Sequence, residues 1–152
     1  MKPSVSAWLQ ACEEDLSVVE SLLQSRLATG AASFHAQQCV EKSLKAVLEE
    51  YTKTVPKIHD LDKLFSEAGK HMDIEYDETI VNRLNMLYIE SRYPGAFGFL
   101  PEGKPSLEDV RKFYAFAKNV YDVVKKHLED HCKEEQNLSK PGIPDFPEPE
   151  TH

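Results

Sequence analysis

Apolar residues recur along this chain at steps of three and four, the spacing that gathers them on one face of an α-helix, and no segment alternates apolar and polar residues at a step of two. Trp8, Cys12, Leu16, Val19, Leu23 and Leu27 mark a first helix over residues 5–27, which Thr29-Gly30 is expected to break. The period resumes from Ala31 to Tyr51 with Ala36, Val40, Leu44, Val47, Leu48 and Tyr51, predicting a second, antiparallel helix. HDLDKLFSEAG reads as a short third helix, with Asp60 as its cap, Leu61, Leu64 and Phe65 inward and Gly69 near its end. Asp77 and Glu78 suit the start of a fourth, whose stripe is Ile80, Val81, Leu84, Leu87 and Tyr88 and which Pro94-Gly95 stops. Ser106 with Asp109 resembles a capping box ahead of Val110, Phe113, Ala117, Val120, Val124 and Leu128, a long last helix. The pattern predicts an all-α, up-and-down bundle of four to five helices.

Past Lys133 the pattern fades. Pro141, Pro144, Pro147 and Pro149 alternate with acids, and few apolar residues remain to pack, so residues 1–132 are expected to form the bundle and 133–152 a disordered tail. The 152 residues leave room for one real core. A formal charge of −8 argues against broad attraction to nucleic acid or anionic membrane, while leaving room for a local site. Neither a signal peptide nor a long apolar run appears, and Cys12, Cys39 and Cys132 form no CxxC pair, so a cytoplasmic protein in a reducing compartment is expected. P-loop and GxGxxG cradles are missing, and no cofactor is expected.

Two polar residues interrupt the second helix's apolar stripe. Gln37 and Glu41 fall beside Val40, Leu44 and Leu48, and a carboxylate there must be paired, lie at an edge or be protonated. Arg92, on the border of the fourth helix's inward stripe, is one candidate partner, since its planar fork suits a carboxylate. The plainer alternative is Lys45, four residues on, pairing with Glu41 at the surface.

The same segments carry a family resemblance. FHAQQCVEKSLKAVL, then HDL at His59 to Leu61, then YIESRYP at Tyr88 to Pro94 resemble, in that order, the HEPN domain (higher eukaryotes and prokaryotes nucleotide-binding), over residues 5 to 131. The resemblance implies a helical bundle, usually a homodimer, often encoded beside a minimal nucleotidyltransferase. Many HEPN proteins are metal-independent ribonucleases of toxin–antitoxin and defence systems, with an arginine followed four to six residues later by a histidine. Arg92 matches that arginine, but Tyr93, Pro94, Gly95, Ala96, Phe97, Gly98, Phe99 and Leu100 follow it, and of these only Tyr93 can move a proton, poorly. The resemblance therefore points to a nucleotide- or RNA-binding or accessory subunit rather than an enzyme. Arg92, Tyr93, Glu41, Gln37, Lys45 and His59 are the residues expected to meet the ligand or partner. A ribonuclease toxin drawing its proton carrier from His35, His59 or Tyr93 is the alternative, and an Arg92 that only closes the bundle against Glu41 is another.

Other constellations read as structural. His127 and His131, at i and i+4 with Cys132 next, have a metal-gripping spacing, but histidines near a helix C-terminus are favoured electrostatically and no metal is expected. Cys39, close to Lys42, reads as packing. Lys42, Lys45, Lys53, Lys57, Arg83 and Arg92 would make a phosphate-accepting cleft only if the fold brings them together. Phe97, Phe99 and Leu100, in the loop GAFGFLPEGKP, are expected to pack over the cleft or at a dimer contact.

Overall fold

A computed structural model describes residues 1–90, 103–140, 142, 147, 149 and 150, without the side chains of residues 89 and 90. Its helices are α1 (Pro3–Leu22), α2 (Thr29–Tyr51), α3 (Leu61–Ala68), α4 (Glu78–Glu90) and α5 (Leu107–Leu138). The all-α expectation holds among the described residues. The loop residues Phe97, Phe99 and Leu100 lie outside them.

The second helix is the axis of the fold. α2 packs against each of the other four helices, most extensively against α1 and then α5. An amphipathic helix with one buried stripe was expected, yet α2 is buried on nearly every side, with Ser43 to Leu48 an unbroken buried run. Small residues let its neighbours approach: Ala32, Ala36, Cys39, Ser43 and Ala46 are fully buried. On the α1 side the Ser43 hydroxyl lies 2.8 Å from the Cys39 carbonyl and 3.3 Å from the Cys12 sulfur. On the α5 side the Cys39 sulfur lies 3.8 Å from the Ala117 carbonyl.

The first connection differs from expectation. α1 stops at Leu22, Leu27 is 88% exposed, and Thr29 and Gly30 begin α2 instead of breaking the chain. Ser25 makes the turn, its amide bonding the Leu22 carbonyl at 3.0 Å and its hydroxyl accepting the Ala28 amide at 3.2 Å. Thr29 and Gly30 are both buried, so packing overrides their weak helix preference.

The other boundaries follow their capping residues. Asp60 accepts the Asp62 and Lys63 amides at the start of α3, and Asp77 accepts the Thr79 and Ile80 amides at the start of α4. Ser106 and Asp109 form the reciprocal capping box of α5. Every apolar residue expected on the inner face of that helix is buried, from Val110 to Leu128. Past Lys133, where the apolar pattern fades, α5 continues to Leu138 with exposed side chains. Lys104 docks the entry to α5 by donating to the Arg26 and Leu27 carbonyls at 3.0 and 2.7 Å. Tyr114 and Tyr121 tie α5 to α1 through Glu20 and Glu13, and burial, then the Glu20 carboxylate, push the Tyr114 hydroxyl up to about 12.

Two measurements check this architecture. Leu44 is fully buried at the middle of α2, so Leu44→Ala is expected to cost about 2–5 kcal/mol in denaturant unfolding. Asp109 pairs with Arg83 at 2.9 Å, joining α5 to α4. Burial alone would raise its carboxyl, but the hydrogen bond from the Ser106 amide and the Arg83 guanidinium outweigh burial and hold it below the ordinary range. That stabilisation is present above the unfolded value of about 3.9 and is lost as pH falls through the lower folded value. Asp109→Asn should therefore flatten the acid limb of the stability–pH curve, and an unchanged limb would show that the pair does not contribute.

Candidate functional site

Gln37, Glu41 and Lys45 stand one helical turn apart along α2, and all three are buried. Their row is hydrogen-bonded along its length. Gln38 donates to the Gln37 carbonyl oxygen at 2.7 Å, the Gln37 amide donates to Glu41 Oε1 at 3.4 Å, and Lys45 donates to Glu41 Oε2 at 3.3 Å. Lys45 is therefore the partner that helix spacing suggests, but the pair is not at the surface: Glu41 is 4% and Lys45 6% exposed. Beyond Lys45, Trp8 of α1 borders the row, with its ring centre 6.0 Å from the ammonium and its indole N–H donating to Glu49 at 3.2 Å.

The last contact to Glu41 comes from the α2–α3 connection. His59 Nδ1 lies 2.9 Å from Glu41 Oε1. An ionised carboxylate can only accept, so the proton of this bond belongs to Nδ1, which leaves Nε2 as the acceptor of a neutral ring. Nε2 has no hydrogen-bond partner among the described residues. The ring is half-exposed and stacks on Tyr88 of α4, with centroids 4.4 Å apart and planes 23° apart.

The HDL triplet sets this geometry, with each residue doing a separate task. Leu61 is fully buried and anchors the start of α3. Asp60 caps α3 and accepts from Asn85 of α4 at 3.4 Å, while Asn85 Oδ1 accepts the Leu61 amide at 2.9 Å. These bonds lock the connection to α4 one turn before Tyr88. His59 is thus held between a buried carboxylate and an aromatic ring, the support that orients an imidazole for hydrogen bonding or proton transfer.

Not every candidate joins this cluster. Arg92 and Tyr93 lie outside the described residues; Tyr88, four residues before Arg92, is the nearest described part of YIESRYP's ring set. His35 faces α1, where its Nδ1 meets Asp15 at 2.9 Å, and Lys42 reaches the same carboxylate at 2.8 Å. Arg83 pairs with Asp109, and Lys53 and Lys57 are exposed, so the described basic residues do not converge on one cleft. Cys39 is packing, as expected: its contact with Cys12 and its burial push the thiol far above the usual range, away from a nucleophilic thiolate. The role of Asn85 was missed, although it stands three residues before Tyr88 on the same helix face, a spacing visible in the sequence.

A family model described as HEPN domain matches residues 5–127, a span that contains Gln37, Glu41, Lys45, His59, Tyr88 and Arg92. The chain is also 30% identical over 134 residues to a protein of Methanocaldococcus jannaschii named "Putative toxin MJ1304", covering 81% of this chain and 87% of that one. No solved structure matches the chain. No described helix is long and apolar enough to cross a membrane. A match over most of the chain places this protein in the HEPN domain family.

Proposed function

We propose that the chain is a toxin-like HEPN module that binds RNA or a nucleotide, with Arg92 contacting phosphate, His59 contacting a ribose hydroxyl, and a minimal nucleotidyltransferase as its protein partner. The observation that carries this reading is the His59–Glu41 pair at 2.9 Å. A buried carboxylate holds the ring by Nδ1, leaving Nε2 to accept from an incoming hydroxyl, and Tyr88 supports the ring from its face. Gln37 and Lys45 hold the carboxylate in place. Arg92, four residues after Tyr88 in the sequence, would add the bidentate fork that phosphate favours, with Tyr93 next in the chain. The relative named as a toxin supports a toxin–antitoxin setting, and family resemblance supports a homodimer.

Fluorescence anisotropy with labelled single-stranded RNA and with a labelled adenine nucleotide tests the binding. Arg92→Ala is expected to weaken it at least about tenfold, the loss of a charge-assisted phosphate contact, and His59→Ala about three- to tenfold, the loss of a hydrogen bond from a ribose hydroxyl. Wild-type protein that binds neither probe, or variants that bind as well as wild type, would overturn the reading.

The same pair favours a second reading, RNA cleavage without a metal. Neutral His59 Nε2 would take the proton of a 2′-hydroxyl as that oxygen attacks phosphorus, Glu41 would stabilise the imidazolium, and the 5′-oxygen would leave with a proton returned from the ring or water. Arg92 would balance charge on the phosphorane. This reading expects RNA cleavage that persists in EDTA and disappears in both His59→Ala and Arg92→Ala. RNA that stays intact with the wild-type protein leaves the binding role alone.

A further inference from the structure

We propose that Glu50, His131 and Glu135 form a binding site for a divalent transition metal, zinc being the best match, at the end of the bundle away from His59. Glu50 closes α2, while His131 and Glu135 stand one turn apart on α5. One ligand atom from each lies within 4.8 Å of the others. His131 Nε2 sits 3.6 Å from Glu50 Oε1 and 3.3 Å from Glu135 Oε1.

Those distances are long for the plainest alternative, an imidazolium bridging two carboxylates. A ring N–H to a carboxylate oxygen normally spans about 2.7–2.9 Å, and a single N–H cannot point well at two acceptors. They do match a shared metal. With zinc–nitrogen and zinc–oxygen bonds of about 2.0–2.2 Å, tetrahedral ligand atoms stand about 3.3–3.6 Å apart.

A second observation is the state of Glu50. Its side chain is only 10% exposed and meets His131 at 3.6 Å, while the Met1 ammonium lines the same cleft and feels the charge of Glu50 and Glu135. A carboxylate so withdrawn from water favours a cation at bonding distance. Glu50 and Glu135 both border a cleft of about 670 Å³ together with Cys132 and Lys2, which leaves room for water as the fourth ligand. The donor set of one imidazole and two carboxylates favours zinc over magnesium, which prefers an octahedron of oxygens.

The surroundings hold the ring of His131. Tyr51 packs against it with centroids 4.9 Å apart, and Tyr51 is itself stacked on His71 and hydrogen-bonded at 2.7 Å to His127 Nε2. That bond explains why the i, i+4 histidine pair, the spacing that first suggested a metal, is not the ligand set. His127 is committed to Tyr51, and the ligand that completes the site comes from α2, which no local motif could reveal.

Isothermal titration of zinc chloride into untagged full-length protein freed of metal by a chelator tests the proposal, with thermal melts and magnesium chloride in parallel. Saturable zinc binding near one per chain is expected, with a rise in Tm and no response to magnesium. Glu50→Gln, His131→Gln and Glu135→Gln should each weaken zinc binding at least about tenfold, since even the partners that merely orient a ligand contribute 10–100-fold. Glu135 is 60% exposed, so its replacement leaves the packing intact. Cys132→Ser should bind as wild type does. No saturable zinc binding, equal affinity in the three variants, or loss of binding only in Cys132→Ser would overturn the site.

Discussion

A carboxylate buried in the middle of the central helix is the constraint around which this bundle is arranged. Glu41 is 4% exposed on a helix that touches all the others, and an isolated charge there would cost several kcal/mol. The fold answers it from three directions. Gln37 and Lys45 come from the same helix, one turn to each side, and His59 comes from the α2–α3 connection. The two helix neighbours are local and follow from spacing alone. The third requires the chain to leave α2, turn and return at a defined height, which the Asp60–Asn85 bond and the buried Leu61 enforce.

This arrangement couples stability to chemistry. The contacts that satisfy Glu41 in the core also orient His59, whose Nδ1 meets the same carboxylate. The unused nitrogen and the Tyr88 ring then lie at the end of α4 that leads into the RYP stretch. A ring anchored to the core through its own hydrogen bond loses little freedom when it meets a ligand, which favours binding.

The two ends of α2 serve different chemistry. Glu41 and Glu50 are nine residues apart, about 13 Å along the helix axis. Around Glu41 the polar atoms satisfy one another, and the only imidazole there is half-exposed. Around Glu50 the nearest imidazole nitrogen stands 3.6 Å from Glu50 and 3.3 Å from Glu135, longer than the 2.9 Å of His59 to Glu41. Clefts of about 670 and 610 Å³ lie at the Glu50 end, one beside Glu50 and another beside His71 and His127, and smaller ones lie beside Ile58 and beside Thr29.

Helical periodicity, caps and family motifs were all legible in the chain, because they depend on residues within about one turn of each other. The Asp60, Asp77 and Ser106 caps, the inner face of α5 and the anomaly of Glu41 on an apolar stripe all follow from such local spacing. The early end of α1 and the burial of Thr29 and Gly30 did not, since there the packing of neighbouring helices outweighed local preference. Nor did the all-round burial of α2, which a stripe pattern understates when small residues admit neighbours on the remaining faces. What only the tertiary structure decided is which distant groups meet: His59 rather than His35 at Glu41, and Glu50 rather than His127 beside His131. Such meetings depend on how the connections return the chain to its central helix, and spacing along one chain carries no record of that.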